Sequence, residues 1–325
     1  MIKDFILKHK FILILLMPIY LGILLISVVP TQYSVTLPGG ISNVSEEIII
    51  NKDISNEFYS VYVISYDNAT LLQTFLTSIN NETTVYQSKN KESLPDSISR
   101  GKLLNELSYT NALIVAYEEA SQVDSSISIN YDTLGYIVTY SNNLLKINDI
   151  ITKIDNLNVL SYTKDELTCY LKNNDAVTFE VIRNRQNLEV TLKKKEDGFF
   201  HLNFELYRII TSSNPKYEKT YKAGLNYGPS GGLIQTLSIY SSLLNLNYNL
   251  KISGTGTIDE FGRVGAIGGV KEKIYTVNNL VDIFFVPEEN YDEALKIYNK
   301  LKHKNFTLYK VSDFNDAKDI LKPKN

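Results

Sequence analysis

The sequence has no tryptophan, one cysteine and three histidines in 325 residues, and each scarcity excludes something. A single cysteine, Cys169, closes no internal disulfide and builds no cysteine-based metal site. It lies in the helical pattern 165–171, where it is expected to be a small buried apolar residue and not a nucleophile. His9 flanks an apolar run and His303 sits among lysines, so His201 is the one histidine left as a general base. That weakens a Ser-His-Asp reading before any motif is considered. No dense Lys/Arg stripe occurs and the net charge is −3, which argues against a general nucleic-acid binder. No G-x-x-x-x-G-K-[ST] loop cradles a nucleotide; Gly254-Thr255-Gly256 is the nearest glycine-rich stretch and lacks the lysine. Neither a cofactor nor a metal is expected.

What is present begins with a long apolar run. Phe11 to Val29 holds 19 uncharged residues, a helix of roughly 28 Å, close to a bilayer core. Lys3, Lys8 and Lys10 precede it. The expectation is a cytoplasmic tail at 1–10, a transmembrane helix at 11–29 that Pro18 could kink, and the remainder outside. The run ends Ser27-Val28-Val29-Pro30, with no small-residue cleavage site, which favours an anchor over a signal peptide.

In 31–122, strands are expected at 33–50, broken by Pro38-Gly39-Gly40, and at 58–65. Helices are expected at 68–79 and from 103 to about 120, with a polar loop over 80–101 between them. The region 125–197 reads as a small β-rich module. It has strands at 135–139 and 148–155, a helix at 163–171 capped by Thr163 or Ser161, and a hairpin of 177–182 with 188–192. The segment Leu145-Lys146-Ile147-Asn148-Asp149-Ile150-Ile151-Thr152-Lys153-Ile154-Asp155 resembles the L-x-x-G-D-x-I-x-x-[VI]-[ND] strand of PDZ domains, with Asn148 where Gly is usual. The resemblance implies that Leu134-Gly135-Tyr136-Ile137 is a carboxylate-binding loop and strand. A peptide would then add beside 136–139, facing the 163–171 helix.

From 222 the chemistry becomes legible. Gly228-Pro229-Ser230-Gly231-Gly232 precedes a helical apolar pattern, so Pro229 and Ser230 are expected in a first helical turn, among unpaired N–H groups. A serine there could have its alkoxide and a substrate oxyanion stabilised by backbone donors, although Gly-Pro-Ser also simply starts helices. Residues 253–267 read as a hairpin turning at Asp259 to Gly262, and Gly268-Gly269-Val270-Lys271-Glu272-Lys273 opens another helix. A helical lysine is ordinarily solvated; to act as a base it must be neutral, through burial or a nearby cation.

Together, Gly228-Pro229-Ser230-Gly231-Gly232, Gly254-Thr255-Gly256, Val264 to Lys273 and Asp282-Ile283-Phe284-Phe285-Val286-Pro287 resemble the proteolytic domain of the Lon family, a Ser–Lys peptidase. The resemblance implies Ser230 as nucleophile and, 43 residues on, Lys273 as base. It implies Thr255 as the residue that orients the lysine amine, and Gly228, Pro229 and Gly231 as the backbone around the oxyanion. Gly231 stands where Ala is usual, and Tyr227 where the family has Asp or a small residue. Asn105 to Val115 and Phe58 to Ser65 resemble the helix and strand that begin the same domain. The order as a whole is similar to bacterial membrane-anchored, PDZ-containing Lon-like peptidases of the YlbL and SepM type. The expected fold class is therefore α+β. It comprises an N-terminal transmembrane helix, a first half of the protease domain in 31–122, a PDZ-like module at 125–197, and a Lon-type α/β domain at 203–325. Peptides or unstructured segments are the expected substrates, without ATP, and a homo-oligomer is implied by resemblance alone. The rival expectation is a catalytically lapsed, PDZ-type peptide-binding scaffold.

Overall fold

The computed structural model describes residues 2–50, 57–88, 94–141, 143–220 and 228–322. Helix α1 (Ile2–Val28) runs through Pro18 and stops before Pro30. Its stretch His9–Val28 has a mean hydropathy of 2.8 with no part buried, so it is long and apolar enough to cross a membrane.

Strand β1 (Tyr33–Asn43), the short β2 (Ile48–Ile49) and β3 (Phe58–Tyr66) follow. The expected break at Pro38-Gly39-Gly40 does not occur. β1 continues through it, and only the register with β3 shifts between Pro38 and Gly40, a bulge of the kind that accommodates proline in a sheet. Glycine is required there: a Cβ on Gly39 would lie 2.3 Å from the Tyr62 carbonyl oxygen. Helix α2 (Leu71–Ser78) starts at Thr70, which forms a reciprocal capping box with Gln73. The expected loop over 80–101 instead holds β4 (Thr84–Gln87), paired with β1, and the start of α3 (Leu94–Ser121). Pro95 stands in the first turn of α3, where its missing N–H costs nothing.

A second sheet occupies 128–214. It is made of β5 (Ser128–Ser141), β6 (Ile150–Ile154), β7 (Leu157–Asn158), β8 (Ala176–Arg183), β9 (Gln186–Lys193) and β10 (Leu202–Asn214), with α4 (Lys164–Asn173) against it. The strand order is β10-β5-β6-β8-β9, with β7 on β6. Thr163 caps α4 reciprocally with Glu166, and Ser161 belongs to a preceding 3-10 turn. Asn184 and Arg185, at φ of 51° and 65°, make the tight β8–β9 turn. Asn148 sits at φ 76°, a left-handed conformation that Gly and Asn tolerate best, which accounts for asparagine at that position. Buried Asp149 accepts from Arg183 at 2.6–2.7 Å.

Two expectations fail in this sheet. Cys169 is exposed, because α4 turns Leu167 and Leu171 into the core and leaves Cys169 outside. Strand β5 also has no free edge at Gly135, Tyr136 and Ile137. β10 pairs with them through Tyr207, Leu206 and Glu205, and on the other side β6 pairs with Tyr136 and Ile137. Leu134 lies at the register shift and is partly exposed. The place expected for a peptide strand is thus filled by β10, which also reaches α4 through Lys164 to Glu205 at 2.7 Å. Gly135 serves the sheet itself: a Cβ there would lie 2.2 Å from the Ile151 carbonyl oxygen.

Strand β11 (Glu218–Lys219) pairs with β2. Then come α5 (Gly232–Leu243), β12 (Ile252–Gly254), β13 (Thr257–Ile258), β14 (Val264–Gly265), α6 (Val270–Val277), β15 (Ile283–Pro287), α7 (Glu288–Tyr298), β16 (Thr307–Val311) and α8 (Phe314–Leu321). The main sheet runs β16-β15-β12-β3-β1-β4. Four parallel strands are joined to two antiparallel ones, and segments from before and after the second sheet share it. Alternating side chains feed two cores. Phe58 and Phe285 pack with α3, α5 and α8, whereas Val61, Phe284 and Val286 pack with α6 and α7. The result is a mixed α+β fold whose central parallel strand is β12.

Candidate active site

β12 ends at Gly254, and Thr255 follows at the carboxyl edge of the parallel strands, the edge at which open α/β sheets collect ligands. The Thr255 amide donates to Phe285 O at 2.9 Å, which fixes the residue to the neighbouring strand. Its hydroxyl donates to the Ser230 carbonyl oxygen at 3.1 Å, and the Gly256 amide donates to the same oxygen at 2.8 Å. The Ser230 carbonyl is therefore held by the β12 end and not by a helical donor. For that reason Ser230 does not sit in the first turn of α5 as expected. It lies two residues before the helix, with Gly231 at the N-cap, and the Gln235 amide bonding to Gly231 O at 3.0 Å.

The mouth of α5 is closely packed. A Cβ on Gly232 would lie 2.8 Å from both Ser108 Oγ and Ile258 Cγ2, and one on Gly231 would lie 3.0 Å from Ser60 Oγ. Pro229 has no N–H to offer an oxyanion; its carbonyl accepts from Ser108 Oγ at 3.1 Å and from the Gly232 amide at 3.2 Å. Gly228, at φ 146°, has open space around it. Tyr227 lies outside the described residues.

Lysine 273 comes from the opposite layer. Gly269 caps α6 at φ 70°, a conformation that glycine supplies without strain. Two residues make about 200° of helix, so Lys271 and Lys273 leave on different sides. Lys271 Nζ donates to Thr83 O, while Lys273 turns inward and is 3% exposed. Its Nζ lies 2.8 Å from Thr255 Oγ1 and 3.0 Å from Ser230 Oγ. Among the described residues no carboxylate forms an ion pair with it. Burial without a counter-charge disfavours the ammonium form and lowers its pKa from 10.5 to about 7.

Ser230, Thr255 and Lys273 are thus brought together. Leu134 to Ile137 belong to the second sheet. His201 is bonded to Asp197 at 2.6 Å, so the basic group beside Ser230 is an amine. No cluster of three or more His, Cys, Asp or Glu suited to a metal exists among the described residues. Three residues were not legible as site components: Ser108 on α3, Gln235 on α5 and Ser60 on β3. Ser60 and Ser108 meet the Ser230 turn only through tertiary packing, Ser108 lying 121 residues from the Pro229 carbonyl it fastens, and Gln235 is one helical turn away but is drawn in by its bond with Ser108.

Comparison with known proteins converges on the same stretch. The sequence model of the Lon protease (S16) C-terminal proteolytic domain matches residues 223–322. The Lon protease of Mycoplasma mobile is 32% identical over 90 residues. That match takes in 27% of this chain and spans only 11% of the relative's own length. Ser230, Thr255 and Lys273 all fall within the family match, so this third of the chain is similar to the proteolytic domain of a serine-peptidase family.

Proposed function

We propose that the protein is a membrane-anchored serine endopeptidase that cleaves peptides or unstructured protein segments without ATP, using Ser230 as nucleophile and Lys273 as general base. The observation that carries this reading is the approach of a buried, carboxylate-free lysine amine to within 3.0 Å of a serine hydroxyl. A neutral amine has one lone pair and two N–H groups. Thr255 Oγ1, its own proton directed at Ser230 O, accepts one N–H, which aims the lone pair at Ser230 Oγ–H.

Lys273 Nζ then removes the Ser230 proton as Oγ attacks the scissile carbonyl carbon. The amides of Ser230 and Gly231, at the positive end of α5, supply donors for the oxyanion. The tetrahedral intermediate collapses by expelling the amine, which takes its proton from Lys273, and leaves a Ser230 ester. Water attacks the ester while Lys273 accepts its proton. Collapse releases the carboxylic product, and the proton returns to Ser230 Oγ.

The anchor reading rests on the length and apolarity of α1 together with the lysines before it; it puts the N-terminus in the cytoplasm and the catalytic part outside. The filled edge of β5 leaves no support for a peptide-capturing scaffold at Leu134 to Ile137.

The test is cleavage of an unfolded polypeptide by the detergent-solubilised full chain, without nucleotide, beside Ser230→Ala and Lys273→Arg. Arginine keeps its charge and cannot serve as the base. Loss of cleavage in both variants is expected. Equal cleavage by all three would sink the assignment.

A further inference from the structure

Helix α2 is inside out for a helix on a water-soluble surface. Its sequence, Leu71-Leu72-Gln73-Thr74-Phe75-Leu76-Thr77-Ser78, carries no charge. Its one buried residue is Thr77, whose hydroxyl donates to Gln73 O. Leu71, Phe75 and Leu76, with Ile79 just beyond, point outward and are 45%, 61%, 53% and 66% exposed. Leu71, Phe75 and Ile79 stand four residues apart and form one stripe, with Leu76 beside it. Soluble proteins seldom leave such a contiguous patch open to water.

The position of α2 says what covers it. Backbone bonds stitch its start to the end of α1: the Leu71 amide donates to Val29 O at 3.0 Å, Thr31 N to Ala69 O at 2.9 Å and Ala69 N to Tyr33 O at 2.8 Å. Pro30 and Thr70 form an isolated bridge at the same joint. If α1 crosses a bilayer, α2 is held at that bilayer's surface. Tyr33, Tyr66 and Tyr86 lie within two residues of one another in the register of β1, β3 and β4, and each is nearly half exposed. Tyrosine is a side chain suited to the headgroup layer. The charged residues flanking α2 in sequence, Asp67 and Glu82, are acidic, and among the described residues Lys271 alone brings a cation near it, at Thr83 O, so no basic cluster selects anionic lipid.

We propose that α2 lies in the interfacial layer of the membrane that α1 spans, with Leu71, Phe75, Leu76 and Ile79 among the lipid glycerol and upper acyl groups. Together α1 and α2 make a two-point mount that holds the main sheet, and with it Ser230, at a set height and tilt above the bilayer. The proposal rests on α1 being a membrane span.

Because the chain has no tryptophan, one introduced indole reports alone. The full chain would be reconstituted in phosphatidylcholine vesicles as three single variants: Leu21→Trp in α1, Phe75→Trp in α2, and Phe199→Trp on the second-sheet segment, where Phe199 is 62% exposed. Lipids brominated at defined depths serve as quenchers. The expected result is that Trp at 21 is quenched most by deep bromines. Trp at 75 should lose roughly half or more of its emission to bromines near the glycerol, in low and high salt alike. Trp at 199 should be unaffected. Adding Leu76→Asp and Ile79→Asp to Phe75→Trp should abolish its quenching without changing cleavage of a short peptide. Quenching at 21 but solvent-like, unquenched emission at 75 would overturn the proposal and leave the anchor standing. A blue-shifted but unquenched Trp at 75 would also overturn it, since protein, such as a second copy of the chain, would then cover α2. No quenching at 21 would remove the anchor and the proposal with it.

Discussion

At the scale of single residues, the site depends on one energetic cost. An ammonium buried without a counter-charge is unfavourable, so the fold favours neutral Lys273, with a pKa of about 7 against 10.5 when unfolded. Between those values the unfolded chain binds more protons than the folded one, and stability rises with pH across that window. Below about pH 7 the full penalty applies, on the order of 5 kcal/mol. Lys273→Met, which removes the charge and keeps much of the volume, is therefore expected to raise stability at pH 6 by about 1–4 kcal/mol while abolishing cleavage. Urea midpoints at pH 6 and 10 check this, and the gain should shrink at the higher pH. In the proposed mechanism the same titration sets activity: kcat/KM should climb through about pH 7 and level off above it. A profile flat from pH 5 to 9 would count against Lys273 as the base. Thr255→Val removes the acceptor that aims the amine and the donor that holds Ser230 O. It should lower kcat by about 10²-fold with KM little changed, and Thr255→Ser should restore most of it.

At the scale of elements, the mouth of α5 is positioned by packing against α3 and β13. Gly232→Ala would push its Cβ into Ser108 and Ile258. A loss of about 1–3 kcal/mol is expected, together with a fall in kcat as Ser230 shifts. Asn111 on α3 links the β13–β14 hairpin to the second sheet: its amide nitrogen donates to Ile258 O on β13 at 3.0 Å, and its amide oxygen accepts from Arg208 on β10 at 2.7 Å. Asn111→Leu leaves the buried Arg208 group without that acceptor and should cost roughly 1–3 kcal/mol, measurable in a denaturant titration. Elements set by local rules were legible in the sequence. The Thr163 cap of α4, the β8–β9 hairpin turn and the Gly-Gly start of α6 all follow from neighbours in the chain. Elements set by distant partners were not. β1 passes through Pro38-Gly39-Gly40 because β3 allows a bulge, and β4 forms in a polar stretch because β1 offers an edge. β10 closes the β5 edge from 70 residues away. The exposure of Cys169 likewise depended on which face α4 buries, and its neighbours Leu167 and Leu171 decided that.

At the scale of the whole molecule, the main sheet draws β1, β3 and β4 from before the second sheet and β12, β15 and β16 from after it. Ser230, Thr255 and Lys273 come from three successive segments, yet they meet because α5 and α6 lie in different layers around the carboxyl end of β12. The resemblance to the Lon proteolytic domain implied which residues to bring together; the sequence could not show that Lys273 would be desolvated, since burial belongs to the assembled layers. The most direct measurement is therefore a titration of the Lys273 amine itself. Full-chain protein labelled with ¹⁵N-lysine and carrying Ser230→Ala would be followed by NMR, with Lys273→Arg to assign the signal. A midpoint about pH 7 is the predicted result. A midpoint near the ordinary lysine value of 10.5 would mean a charged amine at neutral pH and would contradict the general-base role on which the peptidase reading depends.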